Sequence, residues 1–295
     1  MLVDIHTHAC MKRRAEIMRV EGACYPLPEQ LLRMMDDAHI DKAVVLTTVS
    51  PECRRIVVTS DESLEICAQR ADRLIPFCNL DPRFFTNDVH ADFRPMLGAY
   101  KAAGCRGIGE YFPNLPFDDP LNMNFFAQVE EIGLPLTFHI ASQVGGCYGC
   151  VDEIGLPRLE KVLRACPRLT LLGHSQPFWA EISADVTEES RKGYPKGKVT
   201  PGRVVELMRS YPNLCGDLSA ESGYNAIRRD PEFGYRFMEE FQDRLFFGTD
   251  IAYVGQELSI VPYFTDLKQK KRISKDAYEK ITWRNADRLL GLGLA

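Results

Sequence analysis

The string DIHTH at residues 4–8 places His6 and His8 two positions apart in an apolar, extended-reading start of the chain. Side chains two apart on a β-strand share a face, so both imidazoles converge on one point if the strand ends there. Imidazole is the commonest metal ligand, which makes a cation the chemically sensible occupant of that point. An isolated His-x-His pair is equally compatible with two histidines on a half-buried edge strand. The rest of the chain tips the balance. Glu110, His139, His174 and Asp250 each fall at the end of a short apolar run, so six metal-competent side chains share that position, and four of the chain's six histidines are among them. His39 and His90 lie in helical or loop contexts and read as surface or packing residues.

The elements that position these residues follow from hydrophobic patterning. Eight apolar or β-branched runs cover residues 2–5, 43–49, 74–80, 105–109, 136–140, 169–173, 214–218 and 245–248. Amphipathic spacing between them predicts helices over 28–38, 60–72, 88–102, 124–132, 157–165 and 200–210, and the tail 280–292 reads as a helix outside the barrel. Strand and helix alternating eight times imply an α/β fold, the TIM (β/α)8 barrel, with the site at the C-terminal ends of the strands. The runs are continuous rather than alternating, as strands buried on both faces require. A doubly wound open sheet would carry a Gly-rich phosphate turn after strand one, and residues 6–12 contain no glycine. The longest irregular segments, 141–155 and 176–198, each follow a predicted strand, where barrel enzymes place their active-site loops. No repeat or linker divides the chain, so one domain over residues 1–295 is expected.

Composition excludes several classes. At 295 residues, 45% hydrophobic and 26% charged, the chain buries a large core. It carries 36 basic against 41 acidic side chains, a net charge of -5, with no basic stripe, which speaks against nucleic acid as a partner. A strand beginning at Leu2 leaves no place for a signal peptide, and no apolar stretch approaches roughly eighteen residues, so neither secretion nor a membrane is expected. Ten cysteines without a small-scaffold spacing fit reduced thiols in a cytoplasm. Cys147 and Cys150 have C-x-x-C spacing but no second pair, and read as loop thiols. The expected partner is a small-molecule substrate, with a homo-oligomer left open.

The set DIHTH at 4–8, FHI at 138–140, GHS at 173–175, FGTD at 247–250 and NADRLLGL at 285–292 resembles the amidohydrolase superfamily of metal-dependent barrels. Within it, the chain is most similar to the branch that includes aminocarboxymuconate-semialdehyde decarboxylase. The resemblance implies His6, His8, His139 and Asp250 as metal ligands, and His174 as a second-metal ligand or a catalytic histidine. Glu110 stands where binuclear members carry a bridging carboxylate or carboxylated lysine. One ion or two are both compatible with that set.

A divalent ion held this way lowers the pKa of its water from about 15.7 to roughly 7. Zn2+ is the default, and Mn2+ or another first-row metal suits a mixed nitrogen and oxygen donor set. Asp250 and His174 are the expected catalytic residues: Asp250 accepts the water's proton and delivers it to a leaving group, while His174 stabilises the developing oxyanion. Arg83, after strand three, is the expected clamp for a substrate anion; the alternative of equal weight is that Asp81 simply caps the next turn. The basic residues Arg191, Lys192, Lys196, Lys198 and Arg203 lie in or near the loop after strand six, although Glu181, Asp185, Glu188 and Glu189 offset them. Asp217, Ser219, Glu221, Ser222 and Asn225 line the pocket or serve as ordinary turn residues. The expected activity is metal-dependent hydrolysis of a small, anionic amide, lactone or ester; the alternative is non-oxidative decarboxylation of a small carboxylic acid.

Overall fold

A computed structural model describes residues 1–12, 24–53 and 56–294. Eight strands follow the predicted runs: β1 (Val3–Thr7), β2 (Lys42–Val45), β3 (Leu74–Pro76), β4 (Ile108–Tyr111), β5 (Leu136–Ala141), β7 (Leu171–His174), β8 (Leu214–Asp217) and β9 (Leu245–Phe246), while β6 (Cys150–Val151) is a two-residue addition beside β5. Every pairing between them is parallel, in the orders β1-β2-β3 and β4-β5-β7-β8-β9. Backbone hydrogen bonds close the two sheets into one barrel. Cys78 N donates to Gly107 O and Gly109 N to Cys78 O, both at 3.0 Å, joining the β3 side to β4. Across the other seam, Ile5 N donates to Phe247 O at 3.0 Å, Asp250 N to His6 O at 2.9 Å and His8 N to Ile251 O at 2.8 Å. The same bonds that close the barrel therefore set Asp250 beside His6 and His8.

Helices α1 (Pro28–Asp37), α2 (Ser60–Ala68), α3 (Arg94–Ala102), α4 (Pro120–Ile132), α5 (Pro157–Ala165), α7 (Arg203–Ser210), α8 (Ala220–Arg228), α9 (Pro231–Glu240) and α10 (Ile260–Gln269) pack outside the strands, with a short α6 (Gln176–Ala180) after β7. The predicted helix at 88–102 begins only at Arg94: Asp88 closes a turn instead, its side chain accepting from His90 N at 2.9 Å and its carbonyl from Ala91 N at 3.0 Å, and Pro95 fills the first turn of the helix that follows. Helix α4 starts four residues earlier than its apolar spacing predicts: the Asp119 side chain accepts from Leu121 N at 2.9 Å, and Pro120 fills the first turn. The tail consists of α11 (Lys275–Glu279), a π-helical segment (Lys280–Arg284) and α12 (Asn285–Leu290).

Two apolar clusters divide the interior. The larger lies between strands and helices, for example Ala43 and Val45 with Leu31, Met35 and Ile66. The smaller joins Val3, Ile5, Val44, Ile75, Leu172, Cys215 and Phe246, from β1, β2, β3, β7, β8 and β9, with Ala286 and Leu290 of α12. Among the described residues, no helix before α12 contributes a buried residue to it, which identifies it as the filling of the barrel, plugged from below by the tail. His174 stands two residues beyond Leu172 and Asp217 two beyond Cys215, so the faces that carry apolar side chains lower down carry polar ones at the rim.

Candidate metal centre

The six predicted side chains converge. His6 comes from β1, His8 and Asp250 from just beyond β1 and β9, Glu110 from β4, His139 from β5 and His174 from β7. Nε2 of His6 lies 3.2 Å from Nε2 of His8, and Asp250 Oδ1 is 3.5 Å from the first and 3.3 Å from the second. Glu110 reaches both sides of the cluster, with Oε1 2.7 Å from His139 Nδ1 and Oε2 3.7 Å from His8 Nε2. The rings of His6 and His174 are 4.4 Å apart. Three overlapping sets, His6-His8-Glu110, His6-His174-Asp250 and Glu110-His139-His174, keep their donor atoms within 4.8 Å of one another. Asp250 turns its carboxylate into this group from a left-handed backbone at φ 57°.

The site has the electrostatics of a cation pocket. Burial by itself would push the His6 imidazolium down, but the charges of Asp217, Asp250 and Glu110 and the hydrogen bond His6 donates to Asp217 outweigh it, and its pKa is driven up to about 10. Burial pushes the Glu110 carboxyl up, yet His139, through a hydrogen bond and its charge, pulls it well below the usual range. The Asp250 carboxyl is likewise lowered against burial by His6 and His8. His174 moves the other way, down to about 4, through burial and the positive charge of His6. Buried carboxylates that force a proton onto an imidazole are short of positive charge, and a divalent ion supplies it with nitrogen and oxygen donors already in place. The donor set fits a metal.

A further layer holds these groups. Asp217 Oδ2 accepts from His6 Nδ1 at 2.6 Å, and Asp217 Oδ1 accepts from Ser219 N at 2.9 Å. Ser219 Oγ lies 3.0 Å from His174 Nδ1, and Asp217 Oδ2 lies 3.5 Å from the same atom. His8 is stacked on Tyr25 at 4.9 Å and 10°, and His139 leans on Tyr148 at 4.5 Å. Patterning singles out Asp217 and Ser219 only as pocket-lining or turn residues. The position of Asp217 at a strand end is the signal that marked it, while nothing local to Tyr25 or Tyr148 marks either of them.

Arg83 is placed differently from the other predicted residues. Its guanidinium donates to both oxygens of Asp81 at 2.7 Å and to both oxygens of Glu52 at 2.8 and 2.7 Å. Asp81 also accepts from Arg83 N at 2.9 Å, so it caps the turn as well. The basic stretch after β7 is largely occupied. Arg191 is fully buried, donates to Asp152 O at 2.7 Å and Glu153 O at 3.1 Å, and pairs with Glu181 at 2.8 Å, strapping that loop to the one after β5. Lys198 pairs with Asp230, and Arg203 with Glu160 and Glu206. His39 and His90 are exposed, away from the cluster.

Among the described residues, no helix is long and apolar enough to cross a membrane. None of the curated proteins compared matches the chain in sequence. Among solved structures, the chain is similar to 2,6-dihydroxybenzoate decarboxylase from Rhizobium, at 18% identity and a TM-score of 0.62, covering 99% of this chain and 98% of that one. It is similar to a dihydroxybenzoic acid decarboxylase from Polaromonas with bound manganese and the inhibitor 2-nitroresorcinol, at 16% identity and a TM-score of 0.59, covering 100% and 98%. A probable 2-pyrone-4,6-dicarboxylic acid hydrolase from Acinetobacter baumannii aligns at 16% identity and a TM-score of 0.59, covering 98% and 99%. At these identities the likeness speaks for the barrel fold. The sequence profile of the amidohydrolases matches residues 3–292, nearly the whole length, and the chain therefore belongs to the amidohydrolase family.

Proposed function

We propose that this amidohydrolase-family enzyme is a divalent-metal-dependent carboxy-lyase that removes carbon dioxide, without oxidation, from a small carboxylated molecule. The rim cluster supports metal dependence. The observation that favours decarboxylation over hydrolysis is that decarboxylases of hydroxylated benzoic acids recur among the similar barrels. This reverses the order expected from sequence, where hydrolysis came first.

In this reading His6, His8, His139 and Asp250 hold the ion, with Glu110 as a further or bridging ligand. Zn2+ and Mn2+ both suit the donors, and a similar structure contains manganese. The ion supplies Lewis acidity to the oxygens of an anionic substrate. Asp217, by accepting a hydrogen bond from Nδ1–H of His6, fixes the tautomer whose Nε2 lone pair faces the cluster. Decarboxylation breaks the bond between the carboxyl carbon and its neighbour; carbon dioxide leaves, and the electron pair stays on the neighbouring carbon until a proton caps it. Asp250 delivers that proton through its carboxyl group and recovers it from solvent, since its side chain is 26% exposed while those of His6 and His8 are at 0% and 4%. His174, held through Nδ1 by Ser219, stabilises negative charge developing on the substrate. Arg83 engages a substrate carboxylate by exchanging Glu52 for it.

Hydrolysis is the second reading, favoured by the likeness to a probable hydrolase. There Asp250 takes the proton of the attacking water and passes it to the leaving group. Elemental analysis of purified protein, followed by incubation of the metal-loaded enzyme with hydroxylated benzoic acids and with small lactones and amides, separates the two. Release of labelled carbon dioxide from a carboxyl-labelled acid supports the proposal. Turnover confined to lactones or amides, with no carbon dioxide, overturns it, and metal content unchanged in a His6→Ala, His8→Ala variant overturns the ligand assignment.

A further inference from the structure

Met1, two residues before β1, lines a cavity of about 700 Å3 together with residues of α9, α10, α11 and the π-helical segment. It opens at the amino ends of the strands, the opposite end of the barrel from the metal centre. A volume of roughly 300 to 1,000 Å3 is what small-molecule sites occupy. The apolar part is built from Tyr278, Trp283 and Ile273, with Ile273 buried and Trp283 packed against the barrel filling. The π-helical turn at Lys280–Arg284 shapes this wall, and such turns recur at functional sites.

The rim is cationic, and part of its charge has no carboxylate partner. Lys268, Lys271, Arg272 and Lys275 line it against two acids, Glu239 and Glu279. Both acids are already engaged. Glu239 accepts from Ser274 N and, at 2.9 Å, from Ser274 Oγ, and Glu279 lies 2.6 Å from Arg284 Nη2 and 3.6 Å from Lys275. Lys268 sits over the Tyr278 ring at 5.5 Å. Lys268, Lys271 and Arg272 have no carboxylate partner among the described residues, whereas neighbouring Lys270 pairs with Asp266 at 2.7 Å and surface arginines such as Arg70, Arg94 and Arg209 are paired. Unpaired cations around an aromatic floor focus anions and stack flat rings.

We propose that this cavity is a second ligand site, separate from the metal centre, for a small organic anion with a flat apolar ring system. The ring lies against Tyr278 and Trp283, and the anionic group faces Lys271 and Arg272. Because both of those residues are exposed, their charge can be reversed without touching the core.

The test titrates the full-length protein with 8-anilino-1-naphthalenesulfonate, followed by its fluorescence, and repeats the titration with its uncharged counterpart N-phenyl-1-naphthylamine and with a Lys271→Glu, Arg272→Glu variant. One saturable site for the sulfonate is expected, with at least ten-fold weaker binding of the uncharged probe and at least ten-fold weaker sulfonate binding by the variant. Equal affinity for the two probes, undiminished binding by the variant, or no saturable binding of the sulfonate would each overturn the proposal. Since none of these residues belongs to the rim cluster, the outcome is independent of the reaction assigned to the metal centre.

Discussion

Asp217 Oδ2 lies 2.6 Å from Nδ1 of His6, and both side chains are closed to solvent. The residues are 211 positions apart in sequence and come from β8 and β1, which do not pair with each other. A carboxylate on Nδ1 fixes the imidazole tautomer and its orientation and raises the basicity of Nε2. One acidic side chain thereby prepares His6 for a cation and, through Ser219, fixes the ring of His174 as well.

Asp217→Asn keeps the size and a hydrogen-bonding oxygen but removes the charge. Metal affinity is expected to fall about ten- to a hundred-fold, the usual effect of losing such a partner, with the fold retained. Competition with a chromophoric chelator measures it, and an unchanged Kd would show that Asp217 does not act on the ligand.

Metal affinity depends on pH with a definite sign. In the metal-free site His6 holds its proton up to about 10, because Asp217, Asp250 and Glu110 outweigh the effect of burial. Binding a cation at Nε2 expels that proton, so affinity strengthens as pH rises and weakens as it falls, by about ten-fold per unit for one proton displaced. Calorimetry between pH 6 and 8 in buffers of different ionisation enthalpy counts the protons released. A pH-independent Kd with no proton release contradicts the assignment of His6.

Arg83→Met tests the anion clamp and the turn together. Charge-assisted hydrogen bonds are worth roughly 1.5 to 3 kcal/mol, so KM for an anionic substrate is expected to rise about ten-fold or more. Asp81 is 2% exposed and would lose its bonds to the guanidinium, so the thermal midpoint is expected to fall too. A lower midpoint with an unchanged kcat/KM would confine Arg83 to holding Glu52 and Asp81.

Gly149→Ala addresses the loop after β5. Gly149 has φ +117°, and a Cβ there would meet Ala141 N and Ile140 C at 2.8 Å and His139 Cδ2 at 2.9 Å. Backbone strain of this kind costs of order 1–3 kcal/mol, and its outlet is the His139 ring. A lower melting temperature with reduced metal content is expected. Wild-type metal content and stability would mean the loop relaxes away from β5.

The barrel and the six rim residues were legible in the chain because both rest on local patterns. Continuous apolar runs mark strands buried on both faces, and a polar residue closing such a run sits at the strand's end whatever its neighbours are. Helix boundaries were less legible: a turn closed on Asp88 by His90 N and Ala91 N delays α3, and no apolar period encodes it. What the tertiary structure alone decided is who faces whom. Glu52 comes to the fork of Arg83 across 31 positions, Arg191 is buried as a strap between two rim loops, and Asp217 meets His6 across the barrel. Each of these depends on strand register, barrel closure and loop packing, which bring together residues far apart in the chain, so no window of sequence contains the information.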